Sequence, residues 1–161
     1  MKKFFMIVAA ALFMTVSANA QMYVGGTAGF AIANSQFTGQ VAPEFGYSFN
    51  SHVAVGGYLM LGGAPNTFSW SFNPYCRWTF VHVNDFGIFV EGTFGIGTSK
   101  AGGISFTQWS IRAVPGVSYN VSDRWSVIGR VGGIGYESIE GGGAFALHIN
   151  LQPTLGVAYS F

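Results

Sequence analysis

Large apolar side chains recur at every second position along most of this chain, most cleanly at the C-terminal end. The odd positions Phe145, Leu147, Ile149, Leu151, Pro153, Leu155, Val157, Tyr159 and Phe161 are all apolar. Between them lie Ala146, His148, Asn150, Gln152, Thr154, Gly156, Ala158 and Ser160, none of them a large apolar residue. Successive side chains of a strand point to opposite faces, whereas a helix repeats every three to four residues, so this spacing predicts a strand with one apolar face. Segment 68–80 repeats it on the other parity, with Phe68, Trp70, Phe72, Pro74, Cys76, Trp78 and Phe80 opposite Ser69, Ser71, Asn73, Tyr75, Arg77 and Thr79. Segments 41–49 and 109–119 read the same way. Segments 53–61 and 86–96 alternate less strictly, and 22–32 and 125–135 are rich in glycine. The pattern predicts eight strands, each near the ~9–11 residues that a tilted membrane strand needs.

An internal repeat orders these strands. Pro43, Pro74, Pro115 and Pro153 sit on the apolar faces of the even-numbered strands, and four residues on come Tyr47, Trp78, Tyr119 and Val157. Short polar turns follow at 50–52, 82–85 and 120–124, and longer linkers rich in Gly, Ser and Asn lie at 33–39, 62–67, 98–105 and 137–143. This is a meander with short turns at one end and longer loops at the other. Proline has no N–H for a ladder, so bulges are expected near some of the four.

The first twenty residues read as an address. Lys2 and Lys3 precede an apolar run over 4–16, and Ala18-Asn19-Ala20 is a small-residue cleavage site. Residues 1–20 are therefore expected to be a signal peptide and 21–161 the barrel domain. The apolar run is too short for a spanning helix, which needs about 20 residues. A length of 161 residues suits one domain. Only 8% of residues are charged, against roughly 25% in average proteins, which argues against a soluble globule and against disorder. Removing Lys2 and Lys3 leaves five basic residues against six acidic ones. That balance offers no footprint for nucleic acid. The single Cys excludes an intrachain disulfide and a cysteine-based zinc site.

The charges decide which face is outside. Asp85, Lys100, Asp123, Arg124, Glu137 and Glu140 fall in the expected turns and linkers, whereas Glu44, Arg77, Glu91, Arg112 and Arg130 fall on the polar faces of strands. A soluble eight-stranded barrel would have to pack roughly thirty large apolar side chains into a lumen too narrow for them. A membrane barrel turns the apolar face to lipid and the polar face inward. Aromatic residues cluster at both strand ends: Tyr47, Phe49, Trp78, Phe80, Phe86, Tyr119, Trp125, Tyr159 and Phe161 near the short turns, and Phe30, Phe68, Trp70, Phe106, Trp109 and Phe145 near the linkers. Two such belts fit the two membrane interfaces. The predicted fold is an all-β, eight-stranded, antiparallel up-and-down transmembrane barrel.

With these eight strands, the short turns and the ending Thr154-Leu155-Gly156-Val157-Ala158-Tyr159-Ser160-Phe161, residues 21–161 resemble the small outer-membrane barrels of the OmpA/OmpX type. The ending is similar to that family's assembly signal, on Thr154, Gly156, Tyr159 and Phe161. The resemblance implies a Gram-negative outer membrane, lipopolysaccharide and phospholipid as surroundings, insertion by the barrel-assembly machinery, and short turns and both termini in the periplasm. A monomer with no nucleic-acid partner and no cofactor is expected.

Counted from the short turns, Glu44, Arg77, Glu91 and Arg130 fall at one depth, with Arg112 a step nearer the linkers. Buried charges need partners, so an ion-pair network in the lumen is expected, acting as a plug or as a gate. His52 and His82 are expected in or beside turns, without a metal-ligand set. His148 is expected to face inward, and Cys76 to face lipid as a small hydrophobe. Three function classes follow. The first is a structural or interaction barrel with recognition in its extracellular loops. The second is a porin-like or gated channel for small solutes, to which the inward Gly46, Gly56, Gly87, Gly95, Gly116, Gly132 and Gly156 would contribute space, and which Tyr58, Met60, Tyr75, Phe89 and Tyr136 would close. The third is a lipid-modifying enzyme, for which the sequence offers no oriented nucleophile, so no catalytic residue is assigned.

Overall fold

A computed structural model describes residues 21–33, 36–64, 67–139, 142–148 and 154–161, and the expected signal peptide lies outside them. The strands are β1 (Gln21–Ala33), β2 (Gln36–Ser48), β3 (Val53–Ala64), β4 (Thr67–Val83), β5 (Phe86–Ala101) and β6 (Ile104–Asn120). The seventh has two segments, β7a (Trp125–Arg130) and β7b (Gly133–Ile139), and so has the eighth, β8a (Gly142–His148) and β8b (Thr154–Ser160). Each strand pairs antiparallel with its sequence neighbours, and β1 pairs with β8b from Tyr23↔Ser160 to Ala28↔Leu155, which closes the ring. Closure gives the first and last strands a partner on each side, which matters in hydrocarbon, where an unpaired N–H or C=O is costly.

The turns at the termini end are built by short polar side chains. Asn50 Oδ1 accepts from the N–H of His52 at 2.8 Å and of Val53 at 2.9 Å. Ser122 Oγ accepts from the N–H of Trp125 at 3.2 Å. Between β4 and β5, Asn84 takes a φ of 52°, a left-handed conformation that asparagine tolerates better than most residues.

The opposite end departs from expectation. Residues 98–101 and 104–105 belong to β5 and β6, leaving Gly102 and Gly103 as the whole connection, with φ of 58° and 86°. Lys100 and Glu137, expected in linkers, lie in β5 and β7b. Strands also occupy most of 33–39, 62–67 and 137–143. The Gly- and Ser-rich composition that reads as loop is recruited into strand by cross-strand pairing, on both sides for residues 98–101 and 137–139, and such pairing overrides a weak local preference.

Of two bulges, one lies beside a proline and one does not. Through Pro43 and Pro74 the register holds, with Val41↔Leu61 and Glu44↔Tyr58 on one side and Phe72↔Ile96 and Tyr75↔Thr93 on the other. In both places the ladder to the following strand only passes over the proline and its neighbour. Beside Pro115 there is a true irregularity, since Ala113↔Ile134 and Gly116↔Arg130 set three steps of β6 against four of β7. The extra residue falls at Val131 and Gly132, where Gly132 has a φ of 59°. A second bulge, at Phe80, lies between Thr79↔Phe89 and Val81↔Ile88, with no proline near it. A one-residue insertion flips side-chain parity beyond it. Tyr136, expected in the lumen, therefore faces outward and stacks on Trp109 at 5.4 Å. Pro153 and the side chain of His148 lie outside the described part.

The wall is apolar outside and polar inside. Phe45, Leu59, Phe72, Trp78, Ile111 and Val157 are exposed on the outer face, while Glu44, Tyr58, Asn73, Tyr75, Arg77, Glu91 and Arg130 are buried within. This inversion is the membrane arrangement. Leu59→Arg should therefore destabilise the folded barrel in lipid bilayers by about 2–4 kcal/mol, read as a shift of the urea midpoint. Equal stability would place that face outside the hydrocarbon.

Candidate functional site: an ion-paired lumen

The midsection of the lumen holds two carboxylates and two guanidinium groups. Glu91 and Arg77 are direct cross-strand neighbours on β5 and β4, and Arg77 Nε donates to Glu91 Oε1 at 2.8 Å. Arg77 Nη2 lies 3.0 Å from Glu44 Oε1. Arg130 reaches in from β7a, with Nε 2.9 Å from Glu91 Oε2 and Nη2 2.8 Å from Glu44 Oε2. Each acid thus contacts both bases, and the formal charges cancel. Such contacts offset a desolvation cost of several kcal/mol per ion. Their chief consequence is one defined arrangement of the lumen.

Aromatic rings complete the layer. The guanidinium of Arg77 lies 5.7 Å from the Tyr23 ring, 5.3 Å from that of Tyr75 and 4.6 Å from that of Phe89. Tyr75 donates its hydroxyl hydrogen to Glu44 and is itself hydrogen-bonded to the Tyr23 hydroxyl. Each of the three rings lies opposite a glycine on the adjacent strand, in the pairs Tyr23↔Gly46, Gly56↔Tyr75 and Phe89↔Gly116. A Cβ at any of these glycines would run into the ring beside it. Those inward glycines, which in the sequence suggested free bore, are the floor on which rings lie flat across it.

Sequence parity names Glu44, Arg77, Glu91 and Arg130, and the structure brings these four together. It keeps Arg112 apart, one step toward the Gly102–Gly103 hairpin. There Arg112 Nη1 is 3.8 Å from Glu137 Oε1 and Nη2 is 3.5 Å from Asn73 Oδ1. Sequence reasoning missed Glu137, taken for a linker residue, and Tyr23, which sits in the glycine-rich β1. The alternation of Tyr23 with Met22 and Val24 is the signal that could have found it.

Cavities flank the layer. Toward the termini, a vestibule of about 290 Å³ is lined by Gln21, Tyr23, Asn50, His52, Arg77 and His82 among others. His82 points inward because of the Phe80 bulge, as its partner Gly87 does. Toward the other end lie cavities of about 170 and 90 Å³. Among the described residues no group of three or more His, Cys, Asp or Glu is placed to hold a metal ion. Cys76 is exposed on the outer face. At the C-terminus, Phe161 N donates to Met22 O at 2.9 Å, Tyr159 packs edge-on to Phe161 and Trp125, Gly156 pairs with Thr27, and Thr154 lines the 170 Å³ cavity.

A closed eight-stranded antiparallel barrel, apolar outside and ion-paired within, is the fold of the small transmembrane barrels. Solved structures agree. The Neisserial surface protein A superposes with a TM-score of 0.56 at 12% identity, covering 88% of this chain and 96% of that one. A de novo designed transmembrane β-barrel superposes with a TM-score of 0.50, also at 12% identity, covering 90% of this chain and 98% of that one. No family model and no curated protein matches the chain.

Proposed function

We propose that this protein is a structural and interaction component of the Gram-negative outer membrane, a barrel whose lumen is plugged rather than open. The observation that carries the reading is the layer in which Glu44, Glu91, Arg77 and Arg130 satisfy one another across the bore. Its surroundings are lipopolysaccharide and phospholipid. It is inserted by the barrel-assembly machinery as a monomer, with the termini and the turns at 49–52, 84–85 and 121–124 in the periplasm. The C-terminal pattern ending in Phe161 supports that orientation. Recognition then falls to the rim of strand ends around Gly102 and Gly103, since the connection there is short. The proposed role involves no catalysis.

A gated channel is the second reading. It is favoured by one observation, that cavities lie on both sides of the layer, with Arg77 lining one and Arg130 the other. Single-channel recording of the chain folded into a planar bilayer separates the two. Silence from protein shown to be folded is the expected result, and discrete, reproducible steps would replace the plug with a gate.

A further inference from the structure

The two cavities beyond the ion-pair layer meet at Met60 and Arg112, which line both. The larger, of about 170 Å³, is also lined by Thr27, Gln40, Tyr58, Arg130 and Thr154. It therefore presents two guanidinium groups, three hydroxyls and an amide, and no carboxylate among its described lining residues. Arg130 is already satisfied by Glu44 and Glu91. Arg112 is not. Its contact to Asn73, at 3.5 Å, is longer than an ordinary N–H···O bond. Its contact to Glu137, at 3.8 Å, is an ion pair without a hydrogen bond. Its Nε is shielded from solvent and has no hydrogen-bond partner among the described residues. A half-paired guanidinium on the wall of a polar cavity lacks what an oxyanion supplies, because the planar fork of arginine matches carboxylate and phosphate oxygens.

We propose that this chamber binds a small oxyanion, of phosphate or carboxylate type, on Arg112, with Thr27, Gln40, Tyr58 and Thr154 as further donors. The site is independent of conduction, since the ion-pair layer closes the lumen beneath it. Isothermal titration of the full folded barrel in detergent with inorganic phosphate, and separately with acetate, tests it. Saturable binding of one or both is expected, and the two arms identify which oxyanion geometry the chamber prefers. Arg112→Met should weaken that binding at least tenfold, and Arg112→Lys, which keeps the charge without the fork, should weaken it less. Thr79→Val, in the opposite vestibule, should leave it unchanged. Absence of saturable binding in both arms, or equal affinity in Arg112→Met, overturns the proposal. Should Arg112→Met fail to fold, the arginine Nε resonances of the wild-type barrel serve instead. Phosphate or acetate must shift the Arg112 signal, and an Arg112 signal unmoved by either anion overturns the proposal equally.

Discussion

Glu91→Gln should destabilise the folded barrel by about 3–5 kcal/mol, the range for breaking a buried ion pair by removing one partner. Glu91 is fully buried and contacts both arginines, through Arg77 Nε at 2.8 Å and Arg130 Nε at 2.9 Å. The amide keeps the shape but leaves two guanidinium groups facing one carboxylate in a site that water does not reach. Glu137→Gln is the internal control. Its contact with Arg112 is 3.8 Å long and partly exposed, so that ion pair should contribute no more than about 1 kcal/mol. Urea unfolding in lipid vesicles measures both. If the two variants lose similar amounts, the four-residue layer is not a cooperative unit and the plug reading fails. Conductance of Glu91→Gln is a second readout, because an unsatisfied layer has a reason to rearrange and the wild-type layer has none.

Gly116→Val should be nearly as costly. A Cβ at Gly116 would occupy the place of the Phe89 ring, which is almost wholly buried and lies 4.6 Å from the Arg77 guanidinium. Overpacking costs about 1–3 kcal/mol, and losing a desolvated cation–π contact adds about 2 kcal/mol. Gly92→Val is the matched comparison. Nothing lies within 4 Å of a Cβ there, so it should be neutral within about 0.5 kcal/mol. Adding Phe89→Ala to Gly116→Val tests the cause. The double variant should cost less than the sum of the singles, because each substitution removes what the other collides with or leaves empty. Additivity would mean that the glycine serves something other than the ring.

The legible and illegible parts of the site divide along a physical line. The inward set Glu44, Arg77, Glu91 and Arg130 was readable because parity is local, each charge needing only its immediate neighbours to be assigned a face. Which acid meets which base was not readable. That depends on register between strands and on how far a long side chain crosses the bore, as Arg130 does to reach Glu44 at 2.8 Å. The misassigned positions have two causes. Tyr136 lies beyond the bulge at Val131–Gly132, and a bulge shifts the count without leaving a clear mark on composition. Lys100 and Glu137 were placed in linkers because glycine and serine surround them, yet pairing on both sides makes those segments strand.

By itself, the sequence determined that this is a wall of alternating strands, apolar outward and polar inward, with Glu44, Arg77, Glu91, Arg112 and Arg130 on the inward face. A period of two is a property of one strand, and the cost of a charge in hydrocarbon is a property of one residue. Only the tertiary structure decided what crosses the middle of the bore. Rings opposite glycines, ions matched across the lumen and a half-paired Arg112 beside an open chamber each join residues tens of positions apart, and closing the ring is what brings them within reach.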